Sequence, residues 1–357
     1  MKPVLICGGI GKKMWPLSRK RLPKHFLPLF KGKSLYQINY EVLLKKFKPG
    51  EIYIQTTAEQ AKTALEQAPG IPKKNCFIEP ELRDTGPAMG FMAAKLFTIA
   101  PDEPFTLVQA DVLREPAAAY LKMLNQCELL IKRKGKLITG GIRPDFPMMG
   151  VDYLKTEKKS KTIAGMRIFR IANYIDRDIG SKKIERLFKQ KLILIHANHN
   201  SWTPRLLLEA FQKFAPDWHQ SLKKIINVLG TSKEKKVVKE EYAKMKKDRI
   251  ERITRFAFRR GYVIEVPFQW FDFGTWESFF RYKAEKQEYD AGENFLEIDA
   301  KDCFVKKENK KFVALLGTKD LFVVDTGDGL LICDKNYDGR VGEVVEYLRR
   351  KNKQEYL

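Results

Sequence analysis

A chain of 357 residues, 44% of them hydrophobic, can build one large α/β domain and a smaller one around a substantial core. No apolar run approaches the ~18 residues of a membrane span, and the first one, residues 4–7, is far shorter than the ~7–15 residues of a signal-peptide core. The formal net charge of +23 comes mainly from lysine-rich runs such as 158–161 and 233–247, and their lack of interleaved aromatics argues against a nucleic-acid footprint. A cytoplasmic protein with no membrane partner is therefore expected. The five cysteines (Cys7, Cys76, Cys127, Cys303 and Cys333) form no C-x-x-C, so reduced thiols are expected. His196 and His199 lie close together without an apparent third ligand.

Residues 4–7 predict a short buried strand that ends in Gly8-Gly9-Ile10-Gly11. Apolar positions at helical spacing behind a serine cap predict a helix over 34–47. Strands follow at 51–56, 76–79, 105–109 and 137–140, alternating with helices at 58–67, 87–99 and 117–132. This alternation predicts an α/β domain with a mostly parallel sheet and helices on both faces. Ligands of such sheets bind beyond the carboxyl ends of the strands. Past about 150 the pattern loosens: 155–191 reads as basic and irregular, 203–214 and 234–247 as helical, and 261–267 as a strand. From about 292, short strand-like pieces at 295–298, 303–305, 312–316, 321–325 and 330–333 predict a small β domain of β-helix type, closed by an amphipathic helix over 341–350. The expected domains are 1–285 and 292–357.

The loop after the first strand carries the clearest chemistry. Gly8, Gly9 and Gly11 let backbone N–H groups approach an anion, and Lys12, Lys13, Arg19 and Lys24 supply cations for phosphates. A P-loop is excluded, because no G-x-x-x-x-G-K-[ST] string occurs; a dinucleotide fingerprint is excluded because its third glycine is missing. Asp111 stands just past the strand 105–109, where a carboxylate can hold Mg²⁺, although an isolated Asp there is more often a turn or cap residue. Asp272 lies in QWFDFGTW (269–276), a segment whose aromatics alone would read as core. Two carboxylates from distant parts of the chain can share one metal. In EPELRDTGPAMG (79–90) a helix cap by Asp84 or Thr85 accounts for the residues on structural grounds.

GGIGKKMWPLSR followed by PKHFL resembles the signature of the sugar-1-phosphate nucleotidyltransferases, most closely its mannose-1-phosphate guanylyltransferase (GDP-mannose pyrophosphorylase) branch. The departures are Lys12 for Thr, Lys13 for Arg, Met14 for Leu and His25 for Gln. The resemblance implies a Rossmann-like domain in which Gly8, Gly9, Gly11, Arg83, Asp84 and Thr85 bind the nucleotide. Lys13 and Lys24 would be catalytic, Gly150 and Tyr153 would lie against the sugar, and Asp111 and Asp272 would hold Mg²⁺. The implied reaction joins GTP and mannose 1-phosphate into GDP-mannose, releasing pyrophosphate. The family's F-x-E-K-P element has no Glu or Lys counterpart at 169–173, its W-N-S-G is absent near 194–197, and Thr254 and Arg259 replace acidic residues. Those losses admit two other readings: a catalytically impaired homologue that binds nucleotide as a regulatory or scaffold subunit, or a transferase for another sugar 1-phosphate. The apolar β tail leaves room for a homo-oligomer.

Overall fold

The computed structural model describes residues 1–178, 180–308 and 310–357, with only the backbone at Arg260. The strands are β1 (Lys2–Cys7), β2 (Tyr53–Thr57), β3 (Cys76–Glu79), β4 (Phe105–Gln109), β5 (Val112–Glu115), β6 (Ile138–Ile142), β7 (Tyr153–Ile163), β8 (Met166–Ile175), β9 (Ile193–His196), β10 (Ser201–Trp202), β11 (Tyr262–Glu265), β12 (Gln269–Asp272), β13 (Phe295–Ile298), β14 (Phe304–Lys307), β15 (Val313–Leu316), β16 (Leu321–Asp325) and β17 (Leu330–Asp334). The helices are α1 (Leu35–Leu44), α2 (Ala61–Gln67), α3 (Thr85–Ile99), α4 (Ala117–Lys134), α5 (Ser181–Lys189), α6 (Pro204–Phe214), α7 (Pro216–Val228), α8 (Glu234–Lys244), α9 (Glu251–Ala257), α10 (Trp276–Glu285) and α11 (Gly342–Arg350). They group into two compact units. One comprises Met1–Ile6, Tyr40–Gln109 and Arg114–Gln269; the other comprises Cys7–Asn39, Ala110–Leu113 and Trp270–Leu357.

The first unit is built on a sheet of order β11-β8-β7-β9-β6-β10-β4-β1-β2-β3, with β11 also pairing β6. The α/β fold with its parallel core is as the alternation predicts. β1 runs parallel to β4, β2 to β3, and β6 to β11. Every residue of β2 is buried, as expected of a strand covered on both faces. α3 is apolar nearly all round because it packs among other helices: Phe91 and Leu96 share a core with Phe211 and Trp218 of α6 and α7. Gly86 is required there, since a Cβ would come 2.5 Å from the Trp218 ring.

The stretch 155–191 is not irregular. It forms the antiparallel hairpin β7–β8 followed by α5. The hairpin turns on Ala164 and Gly165, both at positive φ (49° and 77°), as a tight hairpin turn requires. Its pattern is hidden in the sequence because β7 is exposed over much of its length and breaks register at Lys155/Thr156 and Thr156/Ser160. Each break disturbs the alternation that marks a strand.

In the second unit the tail strands pair as expected of a β-helix-like domain: β13 with β15 and β14 with β16 in parallel, β16 with β17 antiparallel. One core joins distant sequence segments here. Met14, Trp15, Leu17, Leu27 and Phe30 pack with Phe273, Trp276 and Phe279, and with Phe322 and Val324 of the tail. The compact units thus cut across the linear division at 285–292. Among the described residues no helix is long and apolar enough to cross a membrane, and none of the five cysteines forms a disulfide.

Candidate active site

The chemistry gathers in the second unit. Pro23 enters a short turn of 3-10 helix, Lys24–Phe26, whose Phe26 is buried against Tyr36 with ring centroids 5.0 Å apart. The turn is thereby anchored and the Lys24 side chain points the other way. Its Nζ lies 2.8 Å from Asp111 and 3.9 Å from Asp272, and donates to the Phe273 carbonyl at 3.0 Å. Backbone pairing sets the two carboxylates side by side: β5 and β12 form a two-stranded sheet, and the Phe273 N–H donates to the Asp111 carbonyl at 3.5 Å. The aromatic segment is core after all, and that packing holds Asp272 in place. The Trp276 indole donates to the Trp15 carbonyl at 3.0 Å, while Asp338 of the tail accepts from the N–H groups of Trp276 and Glu277, both at 3.1 Å.

The three charges shape one another. Burial works against the Lys24 ammonium, yet Asp111 and Asp272 outweigh it and raise its pKa. Burial pushes Asp111 upward, but the adjacent Lys24, helped by His25, holds its carboxyl below the usual carboxylate range. Asp272 is raised, by burial and then by the Asp111 charge, with Lys24 and Lys13 only partly offsetting them. Lys13 is exposed yet near enough to act on Asp272. Two carboxylates with a cation between them suit a hard ion that takes one or two protein carboxylates and completes its shell with phosphates, as Mg²⁺ does. Among the described residues no group of three or more His, Cys, Asp or Glu side chains gathers to hold a metal ion.

The sign of the Asp272 shift yields a test. Its ionised form is disfavoured in the fold relative to the unfolded chain, so above its raised pKa it costs stability, and below the unfolded value of ~3.9 the cost is gone. Asp272→Asn is expected to raise the melting temperature at pH 7 by roughly 1–2 °C. The gain should fade as pH drops through the raised value, read by thermal unfolding at a series of pH values. A loss of stability at pH 7 would contradict the assignment.

The glycine loop is tuned to Lys24. Gly11 has φ of 66°, and a Cβ on it would lie 2.5 Å from Ser18 Oγ and 2.8 Å from Lys24 Cγ. Ser18 Oγ donates to the Ile10 carbonyl at 2.8 Å and accepts from the Lys24 N–H at 2.9 Å, so it locks loop and lysine together. Nothing in the sequence marks Ser18 apart from its neighbours in the loop motif, and Asp338 carries no sequence signal at all. Gly11→Ala is expected to cost about 1–2 kcal/mol for the left-handed backbone alone. Gly9→Ala, with nothing within 4 Å of its Cβ, should leave the melting temperature unchanged. Equal melting temperatures for the two variants would refute this account of the loop. Lys12 is engaged with Glu346, and Arg19 donates to Asp328 at 2.9 Å, so the tail also braces the loop. Gly8 directly follows β1 and falls in the second unit with the rest of the loop.

The remaining expected site residues lie in the first unit. Arg83 is tied to Glu81 at 2.5 Å and to the Met245 carbonyl at 2.9 Å. Asp84 caps α3, accepting from the Thr85 N–H at 2.7 Å, and Thr85 Oγ1 accepts from the Ile250 N–H at 3.0 Å. Gly150 is exposed at φ 75°. Tyr153 is buried, and its hydroxyl donates to the Met148 carbonyl at 2.8 Å while accepting from the Met148 N–H at 2.9 Å, so it pins the 148–153 turn. His196 and His199 are core residues: burial pushes His196 down to about 4 and His199 well below its ordinary value. His196 Nε2 sits 3.1 Å from Thr139 Oγ1 and 3.2 Å from Asn200 Oδ1.

A lysine held by two carboxylates beside a glycine loop is an arrangement able to neutralise phosphate charge. Residues 2–160 match the family described as nucleotidyl transferase, and residues 293–348 match the MannoseP isomerase/GMP-like beta-helix domain. The chain thus carries a nucleotidyl transferase match over 2–160 and is similar over nearly its whole length to mannose-1-phosphate guanylyltransferases. It is 27% identical, over 99% of its own length and 74% of the relative's, to a mannose-1-phosphate guanylyltransferase of Salmonella muenchen, and 23% identical, over 99% and 75%, to one of Klebsiella pneumoniae. A solved structure titled mannose-1-phosphate geranyltransferase from Thermus thermophilus aligns over 98% of this chain and 99% of that one, with a TM-score of 0.79 and 25% identity. A mannose-6-phosphate isomerase structure from Helicobacter pylori shares the fold, with a TM-score of 0.60 at 17% identity over 76% of this chain and 99% of that one.

Proposed function

We propose that this enzyme transfers a guanylyl group from GTP to mannose 1-phosphate, forming GDP-mannose and pyrophosphate. The observation that carries the reading is the convergence of Lys24, Asp111 and Asp272, beside the glycine loop. A phosphate oxygen of the sugar phosphate attacks the α-phosphorus of GTP in line, forming the P–O bond as the bond to pyrophosphate breaks. No enzyme nucleophile is needed; positioning and neutralisation of charge do the work. Gly8, Gly9 and Gly11 offer backbone donors to the triphosphate. Lys13 faces the departing phosphates, and Lys24 holds its proton throughout and steadies charge at the α-phosphate. Asp111 and Asp272 would hold Mg²⁺, which when bound neutralises phosphate charge. Arg83, Asp84 and Thr85 shape the turn beside the nucleotide, and Gly150 and Tyr153 the sugar-side turn. In this reading residues 1–285 are the transferase domain and 292–357 the β domain that supports its loop.

The rewritten sugar side favours one alternative, another sugar 1-phosphate as acceptor. Comparing kcat/KM across the four NTPs and a panel of sugar 1-phosphates tests the choice. The highest value is expected for GTP with mannose 1-phosphate; a higher one for another pair would reassign the substrate. GTP binding with no turnover on any sugar would make the chain a scaffold subunit.

A further inference from the structure

A cavity of about 400 Å³ in the first unit has no part in the chemistry above. It is lined by Arg143, Arg167, Lys189, Lys191 and Glu265, with Pro144, Phe188 and Ile193 as its apolar wall. Its place in the sheet is informative. β6 and β11 run parallel and end at Ile142 and Glu265, so the cavity opens at the carboxyl edge of both. β10 is antiparallel to β4 and to β6, which puts the carboxyl end of β4 on that same edge. Ligands of open α/β sheets bind there.

The charges are prearranged. The Arg143 guanidinium meets Glu265 with two bonds, at 2.9 and 3.2 Å, and its remaining nitrogen donates to the carbonyls of Lys191 and Ile193 at 2.9 and 3.3 Å. Arg167 stands 3.5 Å from the same carboxylate. Glu265, the only carboxylate in the lining, is thus already matched. Lys189 and Lys191 are exposed, and among the described residues no carboxylate pairs with either. Four cations therefore face one compensated acid across a volume fit for a small ligand.

We propose that this cavity binds the phosphate group of a small phosphorylated molecule, whose carbon body lies against Phe188, Ile193 and Pro144. The phosphate would fall between Lys189, Lys191 and Arg167, with Arg143 fixing the Lys191 turn. Two sources share this chemistry: the sugar 1-phosphate of the transfer, an assignment that rests on the proposed function, or a separate phosphorylated effector.

Binding is measured on the full chain by calorimetry with inorganic phosphate and with mannose 1-phosphate. In parallel, lysines are labelled with an amine-reactive reagent and mapped by peptide mass spectrometry. Phosphate is expected to shield Lys189 and Lys191 but not the exposed Lys158. The double variant Lys189→Gln/Lys191→Gln should bind phosphate roughly 10-fold or more weakly, as loss of charge-assisted hydrogen bonds requires, with an unchanged melting temperature. If the variant also raises KM for the sugar phosphate while KM for the nucleotide holds, the ligand is the acceptor substrate. If both KM values hold while phosphate affinity falls, the ligand is an effector. Unshielded lysines, or undiminished phosphate affinity in the double variant, would overturn the proposal, and neither readout requires turnover.

Discussion

Lys24→Met is expected to lower turnover by roughly 10²–10³-fold, the usual loss when a preorganised donor to developing charge is removed. The variant should also melt earlier at neutral pH. Lys24 has its pKa raised in the fold, so its stabilising effect is complete below the unfolded value of ~10.4 and lost only as pH rises through the folded one. Without the ammonium, Asp111 and Asp272 face each other unneutralised. Added Mg²⁺ should then raise the melting temperature of Lys24→Met more than that of the parent, since binding to the folded form alone stabilises it. Turnover within a few-fold of the parent would remove Lys24 from the mechanism.

Asp111→Asn should have an effect at least as large. Asp111 is the closer partner of Lys24, at 2.8 Å, and its depressed pKa keeps it ionised where Asp272 begins to protonate. In the proposed metal site it would thus be the carboxylate available to a cation over the widest pH range. Replacing it should abolish the Mg²⁺-dependent rise in melting temperature and reduce turnover by about 10² or more. Because Asp111 is a third exposed, solvent screening tempers the accompanying loss of stability. A variant that still responds to Mg²⁺ as the parent does would move the metal site elsewhere.

Most strands and helices of the first 140 residues were legible because their hydrophobic periods are clean; the short β5 was not. Nor was the β7–β8 hairpin, since Glu157 to Thr162 are exposed and two register breaks erase the alternation. Lys24, Asp111 and Asp272 could be named from the sequence as candidates, each at a strand end or in a charged loop. Their proximity could not, because it depends on Phe273, Trp276 and Trp15 packing with tail residues such as Phe322. Nor could sequence show that Arg83 and Tyr153 have their polar atoms engaged by neighbouring groups. Aromatic residues that read as plain core proved to be what fixes the charged cluster.

The central claim is a transfer of nucleotide to a sugar phosphate, and the products decide it. Purified protein is incubated with GTP, mannose 1-phosphate and Mg²⁺, and the nucleotide products are identified by mass spectrometry while pyrophosphate is counted. GDP-mannose and pyrophosphate in equal amounts, both lost in Lys24→Met, is the expected result. GDP with inorganic phosphate, or GTP left intact with every sugar 1-phosphate supplied, would contradict it.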